Sequence, residues 1–175
     1  MTTRTLIVIV FTSFALASCK KDNPKPLASE VNGRLLAGEK GKSKSWRVTD
    51  GTFQAGADPV EPFSVNACLL DNIFTFTNND VQSYNAMEGA TKCDPANPDI
   101  IESGTWAFTA DGKMIIILSN TVPQSSSSFF SYAGFPFPAE VTHLSDAAFQ
   151  IKMTATKPLG VSMLTTTYIF NFVKA

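Results

Sequence analysis

The sequence predicts an all-β fold: an antiparallel up-and-down barrel of eight strands with one short helix. Phenylalanine is abundant, at 14 residues, and stands beside segments rich in threonine and serine, a composition that favours strands. Residues 148–156 alternate between apolar and polar side chains, which is typical of an antiparallel sheet with one face in water. Asp111-Gly112 lies between two apolar runs and indicates a hairpin.

Strands that are apolar on one face and joined by short turns must bury that face. A meander of eight strands does so by closing into a barrel, which also removes the exposed sheet edges. A sandwich of two packed sheets is the alternative that the same pattern allows.

Residues 1–18 are predicted to be a signal peptide. Arg4 supplies a positive charge, and the apolar run over residues 6–16 is interrupted only by Thr12 and Ser13. A membrane-spanning helix needs about 20 apolar residues. This run is shorter and lies at the N-terminus, so it indicates a secretory leader.

Residues 16–19 read Leu-Ala-Ser-Cys and resemble a bacterial lipobox. The resemblance implies that the Cys19 thiol receives a diacylglycerol, that the leader is cut before Cys19, and that the new amine is acylated, with chains such as palmitate. The protein is then an envelope lipoprotein anchored in a membrane by lipid. Lys20, rather than Asp, follows Cys19. By resemblance to the sorting rules of well-studied Gram-negative bacteria, this implies the outer membrane and leaves its periplasmic or surface face open.

The segment 19–28 is predicted to be a tether, and 29–175 a single domain of ordinary size. Pro24 and Pro26 keep the tether extended. The chain has a formal net charge of −1, so no basic surplus indicates a nucleic-acid partner.

The elements of the domain follow from local patterns. An apolar cluster at residues 35–37 precedes Gly38, where a helix C-cap is expected, and predicts one or two helical turns. Asp50-Gly51 is expected to form a turn or a bulge, and residues 157–160 a turn. Strands are predicted over residues 44–53, 70–77, 81–85, 101–109, 113–119, 140–144, 148–156 and 164–173.

Cys68 and Cys93 are expected to form a disulfide, because export places them in an oxidising compartment. The bridge closes a loop of about 25 residues, for which the chain-entropy model gives about 3.5 kcal/mol. A metal site is the alternative, but His143 is the only histidine available to complete it.

The segment CLLDNIFTFTNNDVQSYNAMEGATKCDPANPDIIESGTWAFTADGKMIIIL resembles the lipocalin-like domain of bacterial, Bacteroidota-type lipoproteins. The matching features are a Cys followed by Asp-Asn and an aromatic strand, a second Cys in EGATKCD, then GTW and an Asp-Gly hairpin. The resemblance implies an eight-stranded barrel with a short helix and a central cavity, and it implies no activity. Lys44 stands where the first-strand signature of better-known lipocalins, Gly-x-Trp, has glycine.

An eight-stranded barrel is just wide enough to be filled by its own side chains or to hold one small ligand. The sequence leaves both interpretations open. The candidate ligand-binding lining comprises the inward apolar residues of the predicted strands, Trp46, Phe74, Phe76, Trp106, Phe108, Phe149, Ile151, Tyr168 and Phe170.

In the loop 125–138, four consecutive serines at residues 125–128 precede five aromatic residues. An exposed patch of this kind marks contact with a partner or a membrane. Rings folded over the barrel mouth are the other interpretation.

No catalytic site is predicted. His143 has no activated Ser or Cys beside it in the sequence, and the chain holds no known catalytic or nucleotide-binding motif. Glu88, Asp94, Asp99 and Glu102 match no calcium loop and are expected to be solvated loop charges. No enzyme activity, cofactor or metal is therefore expected.

Two functions remain at this stage. The first is a binding module, in which a membrane-tethered barrel holds a small hydrophobic molecule. The second is a structural or interaction lipoprotein, whose filled barrel contacts another envelope protein through loops such as 125–138.

Overall fold

The strands form one antiparallel sheet that closes on itself. The computed structural model describes residues 25–63, 65–120, 137–159 and 162–175. Within these residues the strands follow chain order around the sheet, and β1 pairs with β9 to close a barrel of eight strands. The elements are α1 (Ala28–Ala37), β1 (Ser43–Ala55), β2 (Glu61–Phe63), α2 (Ala67–Leu70), β3 (Ile73–Thr77), β4 (Ser83–Met87), β5 (Ile100–Phe108), β6 (Met114–Ser119), β7 (Phe137–Leu144), β8 (Ala148–Leu159) and β9 (Ser162–Lys174).

This architecture confirms the predicted fold class and excludes the sandwich. The first strand shows how closure is achieved. One edge of β1 pairs with β9, and the other pairs first with β3 and then, nearer its end, with β2. The register against β9 shifts between Val48 and Asp50, so Asp50-Gly51 follows a bulge rather than a turn. A bulge bends its strand and increases the local twist, which helps a sheet to curve.

The helix α1 covers one end of the barrel, which we call the helix end. It has ten residues, more than the one or two turns expected. Gly38 ends it with a φ of +88° and donates its N–H to the Arg34 carbonyl at 2.8 Å, as expected of a glycine cap. Leu36 and Ala37 are buried, and the Trp46 indole N–H donates to the Leu36 carbonyl at 2.8 Å. None of the helices among the described residues is long and apolar enough to cross a bilayer.

Aromatic rings fill the barrel interior beneath α1. The Phe149 and Phe172 rings stack with centroids 4.2 Å apart, and Trp46 meets Phe149 edge-on at 5.0 Å. Phe76 contacts the same Phe149 ring and the Trp106 ring edge-on. Such pairs contribute about 0.5–1.5 kcal/mol each beyond their buried area. The helix end is therefore a packed core.

Three local predictions were inaccurate. Neither β2 nor α2 was expected, and α2 occupies the residues just before β3. The turn predicted at residues 157–160 was wrong for residues 157–159, because β8 continues to Leu159 and pairs Pro158 with Met163 of β9. Gly160 lies outside the described residues. The partner on the other side, β7, pairs with β8 only as far as Lys152. Among the described residues, none pairs with Pro158 on that side, so the missing N–H of the proline removes no ladder hydrogen bond to them.

The predicted Asp-Gly hairpin is confirmed between β5 and β6. Its loop comprises residues 109–113, longer than a two-residue turn, and Gly112 has a φ of +71°. One carboxylate oxygen of Asp111 accepts hydrogen bonds from the Thr109 hydroxyl at 2.6 Å and from the Lys113 N–H at 3.1 Å. The aspartate thus closes the loop, which explains the pairing of this residue type with glycine.

Candidate functional site

The predicted lining residues face the barrel interior. Phe108 and Tyr168 are partly buried and pack against the core, and the other seven are buried. At the helix end Trp46 and Phe76 each contact the Phe149 ring, so this part of the set is packed core. Whether the remaining residues contact a ligand stays a prediction.

A buried carboxyl group lies among these apolar residues of the barrel interior. Glu102 is fully buried, with 0% of its surface exposed, so its expected role as a solvated loop charge is wrong. It lies opposite Ala86 of β4 and alternates with Gly104 and Trp106 along β5, which directs it to the barrel interior. The Tyr84 hydroxyl donates a hydrogen bond to Glu102 Oε1 at 2.9 Å.

Gly104 is what lets Tyr84 reach Glu102. It lies directly between Tyr84 of β4 and Ser119 of β6 in the sheet register. A Cβ at this position would come within 2.8 Å of the Tyr84 ring and 1.9 Å of the Leu118 carbonyl oxygen. Because Gly104 has no side chain, the Tyr84 ring can occupy the space beside it and pass over β5 toward Glu102.

The electrostatics keep Tyr84 a hydrogen-bond donor. Burial raises the pKa of the Tyr84 phenol far above its usual range, and the nearby charge of Glu102 raises it further. A hydrogen bond with the Ser119 side chain acts in the opposite direction and is outweighed. Tyr84 therefore stays protonated at neutral pH and directs its O–H to the carboxyl group.

Burial decreases along β9 away from the helix end. The inward residues are Phe172 at 1% exposure, Phe170 at 6%, and then Tyr168, which is half-buried. Met153 lies opposite Tyr168 and is also half-buried. We call this less buried end the far end. Among the described residues, the inward side chains are thus more exposed toward the end opposite α1.

The disulfide lies at the far end and is confirmed. Cys68 of α2 and Cys93 of the β4–β5 loop are bonded, with Cα atoms 5.1 Å apart. Asn72, which is fully buried, accepts the Gly89 N–H at 3.0 Å, and Asp71 accepts the Thr91 N–H at 2.9 Å. These contacts hold the β4–β5 loop against the start of β3.

The acidic residues of this loop have structural partners. Glu88 accepts a hydrogen bond from the Asn97 side chain at 2.9 Å, and Asp99 pairs with Lys92 at 2.9 Å. Asp94 is exposed and accepts the Ala96 N–H at 2.9 Å. In the described parts of the chain, His, Cys, Asp and Glu form no group of three that could hold a metal.

Other candidate residues lie away from the barrel interior or outside the described residues. His143 is exposed on β7. Cys19 and residues 121–136, which include most of the loop 125–138, lie outside the described residues.

Sequence reasoning missed the Tyr84–Glu102 pair, although a signal was present. Glu102 precedes Gly104, Trp106 and Phe108 at every second position, so strand alternation alone assigns it to the inward face. An acidic residue that shares the alternating positions of two aromatic residues is the pattern that identifies Glu102 as an inward residue.

Comparison with known proteins gives no relative. No protein-family model matches the chain, and no curated protein matches it.

Proposed function

We propose that this protein is an envelope lipoprotein, anchored through Cys19, whose lipocalin-like barrel binds a small hydrophobic molecule. The lipobox at residues 16–19 supports the anchor. The Cys68–Cys93 disulfide supports an exported location, because disulfides persist mainly in oxidising compartments. The mature chain then has two functional parts, a lipid anchor and a barrel.

The observation that carries the binding proposal is the composition of the barrel interior. Ligand pockets are mostly apolar and contain a few polar groups that fix the ligand's orientation. The interior described here has that composition, with an apolar wall that contains the buried Glu102–Tyr84 pair. A barrel of eight strands that is not filled by its own side chains is wide enough to hold one small ligand.

The far end is the more suitable half for a ligand. Ring pairs around Phe149 occupy the helix end, and α1 covers it. Exposure of the inward residues increases toward Tyr168 and Met153 at the far end. We therefore place the ligand between the aromatic cluster and the far end.

The tether supports the same orientation. Residues 19–27 reach at most about 30 Å when fully extended. They enter the domain at α1, on the helix end of the barrel. The anchor thus attaches near the helix end and not near the far end, where we place the ligand.

Organic extraction of the protein tests the binding proposal. The mature chain is purified from its native envelope, extracted with organic solvent, and the extract is analysed by mass spectrometry. We expect one small apolar molecule in stoichiometric amount, because burial of apolar surface is favourable by about 25 cal/mol per Å². A variant without the leader and Cys19, purified from a cytoplasm, is the control for lipids released from the anchor.

The second candidate function is that of a structural or interaction lipoprotein whose barrel is filled by its own side chains. The ring contacts at the helix end favour it. If the same packing continues to the far end, the protein acts through its surface, as a structural or interaction lipoprotein that contacts another envelope protein. Extracts without any stoichiometric molecule, from protein that is folded and disulfide-bonded, would support this candidate and contradict the first.

A further inference from the structure

We propose that the helix end of the barrel lies against an anionic lipid surface, and that Leu27, Val31 and Val81 contact the lipid there. This inference rests on the proposed lipid anchor and specifies which face of the domain meets the membrane. It is carried by the point at which the tether enters the domain, by the charges at the two ends of the barrel and by three exposed apolar side chains.

The tether brings the helix end to the membrane. Residues 19–27 reach at most about 30 Å and lead directly into α1, which begins at Ala28. The barrel is about as tall as this tether is long. The strand β9 has 13 residues and runs between the two ends, and a strand of that length rises about 43 Å, or about 33 Å along the axis of a barrel whose strands tilt by about 40°. The far end therefore touches the same membrane only when the tether is drawn straight along the whole barrel, which costs conformational entropy.

The charges at the two ends of the barrel favour the same orientation. The segment 25–44, which comprises α1 and its flanks, has five basic and two acidic residues. With the loops 78–82, 109–113 and 145–147 and with Lys174, the helix end has seven basic and five acidic residues. The far end has six acidic and two basic residues, counted over the described residues 56–61, 67–72, 88–99 and 157–159. The tether adds Lys20 and Lys21, against Asp22, next to the acylated cysteine.

This asymmetry matters because salt screens charges over short distances. The Debye length at physiological ionic strength is about 8 Å, much less than the distance between the two ends. Only the end that faces the membrane therefore interacts strongly with the lipid charges. Anionic lipids attract lysine and arginine near their surface, so they favour contact with the helix end and oppose contact with the acidic far end.

Three apolar side chains at the helix end are available for the contact. The Val31 N–H donates to the Leu27 carbonyl at 3.1 Å, so these two residues lie one helical turn apart, and both are exposed. Val81, in the β3–β4 loop, is 69% exposed, the largest value for a large apolar side chain among the described residues. Its loop lies beside the helix, because a Cβ on Gly33 would come within 3.8 Å of the Gln82 side chain. Exposed apolar residues also occur at the far end, so the tether and the charges decide which set meets the lipid.

Contacts with the barrel hold α1 in a fixed position. The Asn32 side chain donates to the Gly112 carbonyl at 2.8 Å, near the start of the helix. Lys44 donates to the Leu35 carbonyl at 2.8 Å and pairs with Asp146 at 2.6 Å, near its end. The outward side chains of α1 are thus presented in one arrangement, which reduces the ordering cost of contact.

Spin labels at the two ends of the barrel test the inference. The natural, acylated protein is incorporated into vesicles of phosphatidylethanolamine and phosphatidylglycerol, which contain no other protein. With Cys19 acylated and the other two cysteines bonded, Val81→Cys provides one free thiol for a nitroxide label. Met163→Cys is the matched control, because Met163 is 65% exposed and lies at the far end. Electron paramagnetic resonance measures collisions of each label with oxygen, which partitions into lipid, and with a water-soluble nickel chelate.

We expect the label at position 81 to gain oxygen collisions and to lose chelate collisions on incorporation, while the label at position 163 keeps its aqueous values. Leu27→Cys and Val60→Cys form a second matched pair, at 56% and 59% exposure, and should show the same contrast. Vesicles of phosphatidylcholine alone have no net charge, so the contact at position 81 should weaken in them.

A double variant assigns the contact to the apolar residues. Val31→Ser/Val81→Ser removes two of the three side chains and should restore chelate collisions to a label at position 27. Val60→Ser/Met163→Ser makes the same change at the far end and should leave that label protected. All four residues are exposed, so neither variant alters the core.

The outcomes separate the inference from the lipid anchor. If the acylated protein stays on the vesicles and the labels at 27 and 81 are as accessible to the chelate as those at 60 and 163, the inference is wrong and the anchor stands. If the mature protein carries no acyl chain, the anchor fails and the inference fails with it. Equal protection in phosphatidylcholine vesicles would overturn the preference for an anionic surface. Protection in native envelopes but not in vesicles would assign the helix end to a protein partner and overturn the inference.

Discussion

Replacing Cys19 with serine is expected to abolish incorporation of labelled palmitate, to block removal of the leader, and to release the protein from membranes. Serine keeps the size of the side chain but cannot form the thioether on which the later steps depend. Each buried CH₂ of an acyl chain contributes about 0.8 kcal/mol to membrane binding, and two or more chains anchor a protein stably. The leader cannot replace this anchor, because its apolar run over residues 6–16 is shorter than the roughly 20 residues of a membrane span.

The change Ser18→Ala is the matched control for this experiment. Alanine is small, as the position before the cleavage site requires, so the variant should be processed, acylated and retained in the membrane fraction like the natural protein. Fractionation, palmitate labelling and the mass of the mature chain provide the three readouts. Palmitate incorporation that continues in Cys19→Ser would contradict the lipid anchor, and with it the envelope location.

Removing the disulfide is expected to lower the free energy of unfolding by about 3.5 kcal/mol, the value that the chain-entropy model gives for cysteines separated by 25 residues. The loss arises mainly in the unfolded chain, which gains freedom once the loop is open. The folded barrel should survive in the double variant Cys68→Ala/Cys93→Ala, because Asn72 and Asp71 still accept the Gly89 and Thr91 N–H groups. Urea unfolding followed by circular dichroism measures the difference.

Reduction of the natural protein is the control for the disulfide prediction. The reduced protein and the double variant should unfold at the same urea concentration, since both lack only the cross-link. Before reduction, Cys68 and Cys93 should not react with a thiol reagent even in denaturant. Labelling of both cysteines in unreduced, denatured protein would refute the bridge.

Local patterns predicted the elements whose environment is regular. The alternation from Phe149 to Ala155 places the inward side of β8 correctly, because a two-residue period is a property of the strand itself. Gly38 and Gly112 take the positive φ values that their positions in the sequence suggested. These predictions needed no knowledge of the neighbouring strands.

Features that depend on neighbouring strands were not predicted. The sequence around Pro158 has the composition of a turn, but β9 supplies a pairing partner, and among the described residues β7 does not extend to the other side of the proline. The strand β2 has only three residues and includes a proline, so it carries no periodic signal. In both segments, strand pairing determines the backbone conformation, and pairing depends on residues that are distant in the sequence.

In the candidate site, too, the features that depend on one strand were predicted and those that depend on several strands were not. The inward aromatic residues were predicted from alternation. The burial of Glu102 was not, because a buried carboxyl group is tolerated only where the fold supplies hydrogen-bond donors. Tyr84 is such a donor, it comes from another strand, and it reaches Glu102 across Gly104. No single segment of the sequence contains all three parts.

Methyl NMR of the mature protein, titrated with the ten-carbon apolar probe decanol, tests most directly whether the barrel interior binds a ligand. The account predicts saturable shifts of the Ala86 and Met153 methyl resonances, which line the interior away from the helix end, while the buried Leu36 of α1 stays unchanged. Met87 and Ile100, which are exposed on the outer surface, serve as controls. Shifts confined to these two outer residues, or no saturable shift of Ala86 and Met153, would contradict it.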